Sequence, residues 1–298
     1  MNRFVTLSAA VFLIAVCSSG TPGMAQDPAE AEPAAGNPEI LVQAERERQE
    51  KQIHSLARKV SGPLPSSRPI PRFHRKMCLV VGGVSEELAD AFGTRITENA
   101  QLAGVPVETG KCKPNALVVF TDNSRADLAQ IRKKNRWMFG NLPRSQFDRM
   151  MASRDEVFAW QSTLPMGLTG MAFDIENREF PENRSTVDGG GRLSNTFMID
   201  VAASVVVIDK NALDSKTAMQ VADYASMRLL APTAEVASLS EGEPATIMTL
   251  FRDPAGAPPE LSPFDIAYLR GVYDIPPNAP SSTVYGQITR NVTGRRPR

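Results

Sequence analysis

The apolar positions along the chain fall into runs of different period, and each period predicts an element. Cys78-Leu-Val-Val, Ala116 to Phe120 and Ser204-Val-Val-Val-Ile-Asp209 are compact β runs. Glu156 to Thr163 and Gly170 to Ile175 alternate apolar and polar residues, and Phe197 to Asp209 holds one or two strands. Val105 to Glu108 reads as a short strand.

Helical spacing fills most of the remainder. Residues 38 to 60 are helix-prone, but their apolar stripe (Ile40, Leu41, Ala44, Ile53, Leu56, Val60) is sparse and interrupted by the mixed charge run Glu45 to Lys51, which predicts a solvated arm. Ser85 is placed to cap a helix running to about Leu102, with Glu86 and Glu87 at its positive end. Asp122 or Ser124 caps the next, to about Lys134, and Leu142-Pro143-Arg144 opens a short one to about Ala152. Lys216 to Leu230 carries Ala218, Val221, Ala222, Ala225 and Leu229 on one face and stops at Pro232. The strongest start signal is Ser262 as N-cap, Pro263 at the first position and Asp265 in the capping-box place, for a helix through Tyr273. The tail adds a short helix around Val284 to Asn291. No repeat is visible, and the class is α+β, a mixed sheet flanked by helices.

Punctuation sets the expected organisation. Asn2-Arg3, the apolar run Phe4 to Val16 and the small residues ending at Ala25 have the shape of a signal peptide, residues 1–25. Val16 before Cys17 is a poor lipoprotein signal, so a cleaved periplasmic or secreted protein is expected rather than a lipid-anchored one. Residues 26–72 are expected as a disordered lead-in, the charged helix and a stiff linker carrying Pro63, Pro65, Pro69 and Pro71. Residues 73–275 form one globular domain and 276–298 a tail. No later run approaches the roughly 20 apolar residues of a spanning helix.

Composition narrows the chemistry. Hydrophobic residues are 42% and charged residues 22% of 298, an ordinary globular balance. Lys+Arg and Asp+Glu tie at 33, which removes the electrostatic case for a nucleic-acid partner. The two histidines, His54 and His74, both lie in the first quarter, away from the body of the chain. After cleavage the cysteines left are Cys78 and Cys112, an even pair that in an exported chain reads as one disulfide.

The motif search returns few sites. Gly82-Gly83 lacks dinucleotide-loop spacing and reads as a tight strand-to-helix turn. Asp122-Asn123-Ser124 resembles the start of a cation-adhesion loop, but Ala126 stands where a second hydroxyl belongs, and helix capping explains Asp122. Asp188-Gly-Gly-Gly-Arg192 reads as a glycine-rich hairpin end that would bring amides and Arg192 to an anion. Asn183-Arg184-Ser185 and Asn291-Val292-Thr293 match glycosylation acceptors. Neither G-x-S-x-G nor H-E-x-x-H occurs. Asp174, Asp200, Asp209, Asp214 and Asp223 are scattered and expected on the surface or at caps.

Ser204 to Leu230, followed by Leu261-Ser-Pro-Phe-Asp-Ile-Ala-Tyr-Leu-Arg-Gly-Val-Tyr273, resembles an uncharacterised family of exported proteobacterial proteins, and Arg154 to Gln161 is similar to its middle strand. The resemblance covers roughly residues 75 to 292. The layout is also similar to zincin-type peptidases, which would put the first zinc ligand at Asp223, the general base at Tyr224 and the second ligand at Met227. A thioether is a poor zinc ligand and tyrosine no neutral-pH carboxylate base, so the resemblance implies a lost zinc site. The expected function is a non-catalytic exported module, without cofactor, that binds an envelope or periplasmic protein. The alternative is a hydrolase with a carboxylate or metal site near Asp223 or Gly189 to Gly191.

Overall fold

The computed structural model describes residues 38–108, 110–140, 142–153, 155–171 and 195–295. The expected signal peptide and lead-in, Arg154, Asp174, Asn183 to Ser185 and Asp188 to Arg192 lie outside them. The chain divides into two compact units, 1–42 and 43–298. Of the first, the described residues are the opening turn of helix α1 (Pro38–Ser61), with Leu41 and Val42 exposed. Everything below concerns the second.

Its elements follow as β1 (Leu79–Gly82), α2 (Glu86–Ala103), β2 (Ala116–Thr121), α3 (Ser124–Lys134), a 3-10 turn Arg136–Phe139, α4 (Arg144–Ala152), β3 (Val157–Gly167), β4 (Phe197–Asp209), α5 (Ala218–Leu230), α6 (Pro263–Asp274) and α7 (Ser282–Thr293). The four strands form one sheet in the order β1-β2-β4-β3. β1, β2 and β4 are parallel, with Val119 beside Gly82 and Val207, while β3 runs antiparallel along β4 and leaves an edge. The fold is therefore α+β with a mixed sheet.

Both faces of the central strands are apolar because helices cover both. Val118, Phe120, Val206 and Ile208 point into the larger core, shared with α1, α2, α5, α6 and α7. Their alternates Val205 and Val207, with Leu117 and Val119 packed alongside, meet Leu128, Phe139, Phe147 and Trp160 in a second core under α3 and α4.

Several expectations change. α1 is not a solvated arm: Ile53, Leu56, Ala57 and Val60 are at most 1% exposed, a complete stripe compressed into the helix's last turns. The proline stretch is not a free linker either, because Ile70 and Phe73 are core residues and the strand-like bridge of Arg72 to Asp200 runs it along β4. Packing thus places residues 43–72 inside the fold and moves the division from residue 72 to residue 42. The tail also folds in: α7 buries Val284 and Ile288, and Gly271 of α6 permits this, since a Cβ there would lie 2.6 Å from Ile288 Cγ1.

Local differences have local causes. Asn123 caps α3, its Oδ1 accepting from Ala126 N at 3.1 Å, and Asp122 instead pairs with Lys210 at 3.4 Å. The expected strand at Val105 to Glu108 shrinks to one bridge, Met77 to Val107. β3 extends to Gly167, and β4 is a single strand of 13 residues. The capping box of α6 forms as its sequence indicates, and α5 gains one from Thr217 and Gln220.

The Cys78–Cys112 disulfide is present, with Cα atoms 6.0 Å apart. It ties the loop before β2 to the residue preceding β1, where Asn115 Oδ1 accepts from Cys78 N at 2.7 Å. Among the described residues no helix is long and apolar enough to cross a membrane.

Candidate functional site

In an open parallel sheet, ligands favour the carboxyl ends of adjacent strands whose following helices leave for opposite faces. β1 and β2 satisfy this condition, since α2 packs in the larger core and α3 in the smaller. Gly83 makes the turn into α2 at φ +87°, and a Cβ there would meet Phe120 O at 1.9 Å, so Gly82-Gly83 is the tight turn its sequence indicates. Beside it lies a cavity of about 520 Å³ lined by Thr121, Asp122, Asp127, Lys134 and Lys210.

The carboxylates and the threonine hydroxyl at this strand end are already engaged. Asp209 accepts from Ser124 N and Oγ at 3.2 and 3.1 Å and from Asn211 N and Nδ2 at 3.0 and 2.8 Å. Burial pushes this carboxyl up, but the bonds from Asn211 and Ser124 outweigh it and hold it below the ordinary aspartate range. Thr121 Oγ1 bonds to the Asp127 carboxylate. The first-turn amides of Ser124, Ala126 and Asp127 all have acceptors and are not offered to an anion, and Asp122 of the adhesion-like segment is paired with Lys210.

Asp223, expected as the first ligand position, is fully buried on α5. Its Oδ1 accepts from Arg95 Nε at 2.7 Å and Asn99 Nδ2 at 2.7 Å, and its Oδ2 from Arg95 Nη2 at 2.9 Å and Leu261 N at 2.7 Å. Both oxygens are thus spent on joining α2, α5 and the entry to α6. Tyr224 points elsewhere, donating to Glu235 at 3.0 Å, with its hydroxyl pKa raised by burial. Met227 is a fully buried core side chain. Among the described residues no group of three or more His, Cys, Asp or Glu converges as a metal site.

Two further carboxylates are buried, Asp200 against the surface or capping role expected of it and Asp265 in the capping box its sequence indicates. Asp200 accepts from His74 N at 2.9 Å and Arg75 Nε at 2.6 Å, fixing the segment before β1 on β4. Asp265, beyond its capping-box contacts with Ser262, accepts from Thr246 Oγ1 at 2.5 Å and Ile247 N at 2.9 Å. Burial pushes it up to about 6. Asp214 is exposed. The network around Asp223 left one sequence signal unread: Asn99 falls on the apolar stripe Phe92-Ile96-Ala100-Ala103 of α2, where a polar side chain requires a partner.

Among the described residues β3 is the last strand of the sheet. A groove of about 650 Å³ lies beside it, lined by Val157, Ala159, Gln161, Pro143, Leu64 and Arg228. Trp160, on the same strand, stacks on Phe139 at 4.6 Å and donates to Met138 O at 2.9 Å. A second depression of about 830 Å³ lies between α1 and α7, lined by Lys51, His54, Arg58, Thr289 and Arg290. His54 there is held below its ordinary pKa by burial and by Arg58.

No family model, no curated protein and no solved structure matches the chain.

Proposed function

We propose that the chain is an exported, non-catalytic binding module whose partner is an envelope or periplasmic protein, working in the periplasm or as a secreted protein. One observation carries this reading. Asp200, Asp209, Asp223 and Asp265 are held by structural donors, while a concave groove of about 650 Å³ lies beside β3. Chemistry needs a group free to bind or exchange a proton with substrate, and binding needs accessible shape. The disulfide supports an oxidising compartment, and the apolar run Phe4 to Val16 supports export. The likeness of Leu261 to Tyr273 to an exported proteobacterial family points the same way.

Site-directed photo-crosslinking in the exported fraction tests the reading. Probes at Gln146 beside the β3 groove, at Lys51 between α1 and α7, and at Lys111 as a remote control are expected to give a discrete partner adduct from a groove position and none from Lys111. Absence of adducts from all three, or hydrolytic turnover lost in Asp223→Asn with the fold retained, would overturn it in favour of an enzyme.

A further inference from the structure

Beyond the protein partner, we infer that the depression between α1 and α7 binds a phosphomonoester, its dianionic head held by Lys51, Arg58 and Arg290.

Helical spacing builds the walls. Lys51, His54 and Arg58 share one face of α1, and Gly286, Thr289, Arg290 and Thr293 share one face of α7. Tyr285 fixes the two helices to each other: its hydroxyl lies 3.0 Å from Ser61 Oγ, and its ring 5.3 Å from that of His54 and 5.5 Å from the Arg58 guanidinium carbon. Gly286 puts no side chain on its wall, and a Cβ there would lie 3.5 Å from Arg290 Nη1, so the Arg290 guanidinium lies back along the preceding turn. The volume of about 830 Å³ leaves room for an organic body attached to the head group.

Charge selects the ligand. Lys51, Arg58, Arg290 and Arg295 line the depression with two carboxylates, Glu47 and Glu50, which leaves a surplus of two positive charges. Arg295 pairs with Glu50, and Glu47 accepts from Gln43 Nε2 at 3.2 Å. Among the described residues the cationic groups of Lys51 and Arg58 make no ion pair or hydrogen bond, and stacking on Tyr285 leaves the N–H edge of Arg58 available. Arg290 donates from Nη2 to Gln287 Oε1 at 2.6 Å, and its enclosed Nε has no acceptor, so drawing this guanidinium towards an anion gives an orphaned donor a partner. A phosphomonoester carries about −1.5 to −2 at neutral pH and cancels the surplus, which a single carboxylate does not. Its three terminal oxygens also match three cations, two of them guanidiniums that take phosphate oxygens in a fork.

His54 supplies a built-in reporter. Burial first and Arg58 second hold its imidazole below the ordinary histidine range. The charged groups sharing the depression with it are Glu47, Glu50, Lys51 and Arg58 on its own helix and Arg290 and Arg295 from the α7 side, while Glu243, outside the depression, is held by Lys59 at 2.7 Å. A dianion seated among these cations offsets their repulsion, so binding raises the His54 pKa.

The test uses the full chain. Calorimetric titration with glycerol 3-phosphate, with glycerol and succinate as controls, is paired with an NMR titration of the two histidine rings. Flotation with phosphatidylcholine vesicles, with and without phosphatidic acid, asks whether the phosphomonoester is a lipid head group. Saturable binding of glycerol 3-phosphate is expected, with none of glycerol and about tenfold weaker binding of succinate. The His54 pKa should rise on binding and that of His74 stay where it is. Arg290→Gln and Lys51→Glu should each weaken binding about tenfold, the worth of one charge-assisted hydrogen bond, and Lys111→Gln should leave it unchanged. Binding in solution without flotation assigns a soluble phosphomonoester, and flotation that needs phosphatidic acid, Lys51 and Arg290 assigns a lipid head group. Binding of neither probe, succinate equal to glycerol 3-phosphate, affinity unchanged in both variants, or binding that leaves the His54 pKa unmoved overturns the proposal.

Discussion

Arg95 and Asp223 meet through two parallel bonds, Nε to Oδ1 and Nη2 to Oδ2, with the aspartate wholly enclosed and the arginine side chain 23% exposed. The hydrogen bond to Asp223 raises the arginine's pKa. The pair joins α2 to α5, and Leu261 N brings the start of α6 to the same carboxylate.

Asp223→Ala should therefore cost about 3 to 5 kcal/mol, because it strands the donors of Asn99 and Leu261 and a guanidinium. Replacing both partners, Arg95→Met with Asp223→Leu, should recover much of that loss. Urea unfolding of the single and double variants checks both, and full additivity would show that the pair is not coupled.

Cys78→Ala, or reduction of the parent protein, should lower stability by about 2 to 5 kcal/mol, since the bridge spans a sequence separation of 34 residues. The two treatments should lower the melting temperature similarly, and reductant should not affect the variant further.

Removal of residues 1–72 should abolish cooperative unfolding, because Ile53, Leu56, Ala57, Val60 and Ile70 leave the main core with it. A chain starting at Gln43 should unfold as cooperatively as the parent. Calorimetry on the two truncations decides between a division at 42 and one at 72.

His74 is held down to about 4 by burial first and by Arg72 second, against the pull of Asp200. The folded state then binds this proton less readily than the unfolded chain, whose histidine titrates near 6.5. Its contribution is present above pH 6.5 and lost as the pH falls from 6.5 towards 4. His74→Gln should flatten the melting-temperature profile in that window and leave it unchanged above pH 7.

Gly271→Ala should destabilise by about 1 to 3 kcal/mol, as its Cβ would press on Ile288 and separate α6 from α7. Gly93→Ala, on α2 with no atom within 4 Å of the new Cβ, should instead stabilise by about 0.5 to 1 kcal/mol. Chemical denaturation of both variants reads the sign.

The elements were legible where the signal is local. The capping box of α6, the apolar runs of β2 and β4, and the even cysteine pair each depend on residues close in sequence or on their number. Placement was not legible. Ile53, Leu56, Ala57 and Val60 form a short stripe that looks sparse when averaged over a helix of 24 residues, yet it is complete where the helix packs. Arg75, Arg95 and Asn99, the side chains that hold Asp200 and Asp223, lie more than 120 residues away, and nothing local distinguishes a bridging aspartate from a surface one. The groove was hidden for the same reason, since strand order decides which strand is left at an edge.

Arg72 sits almost enclosed, and its Nη1 donates to the carbonyls of Val272, Tyr273 and Ile275 at the end of α6. Those acceptors lie 200 to 203 residues further along. A ribosome delivers Arg72 long before them, so this seam can close only after α6 has emerged. The contact that ties the start of the folded unit to its last third is thus among the last that synthesis makes possible.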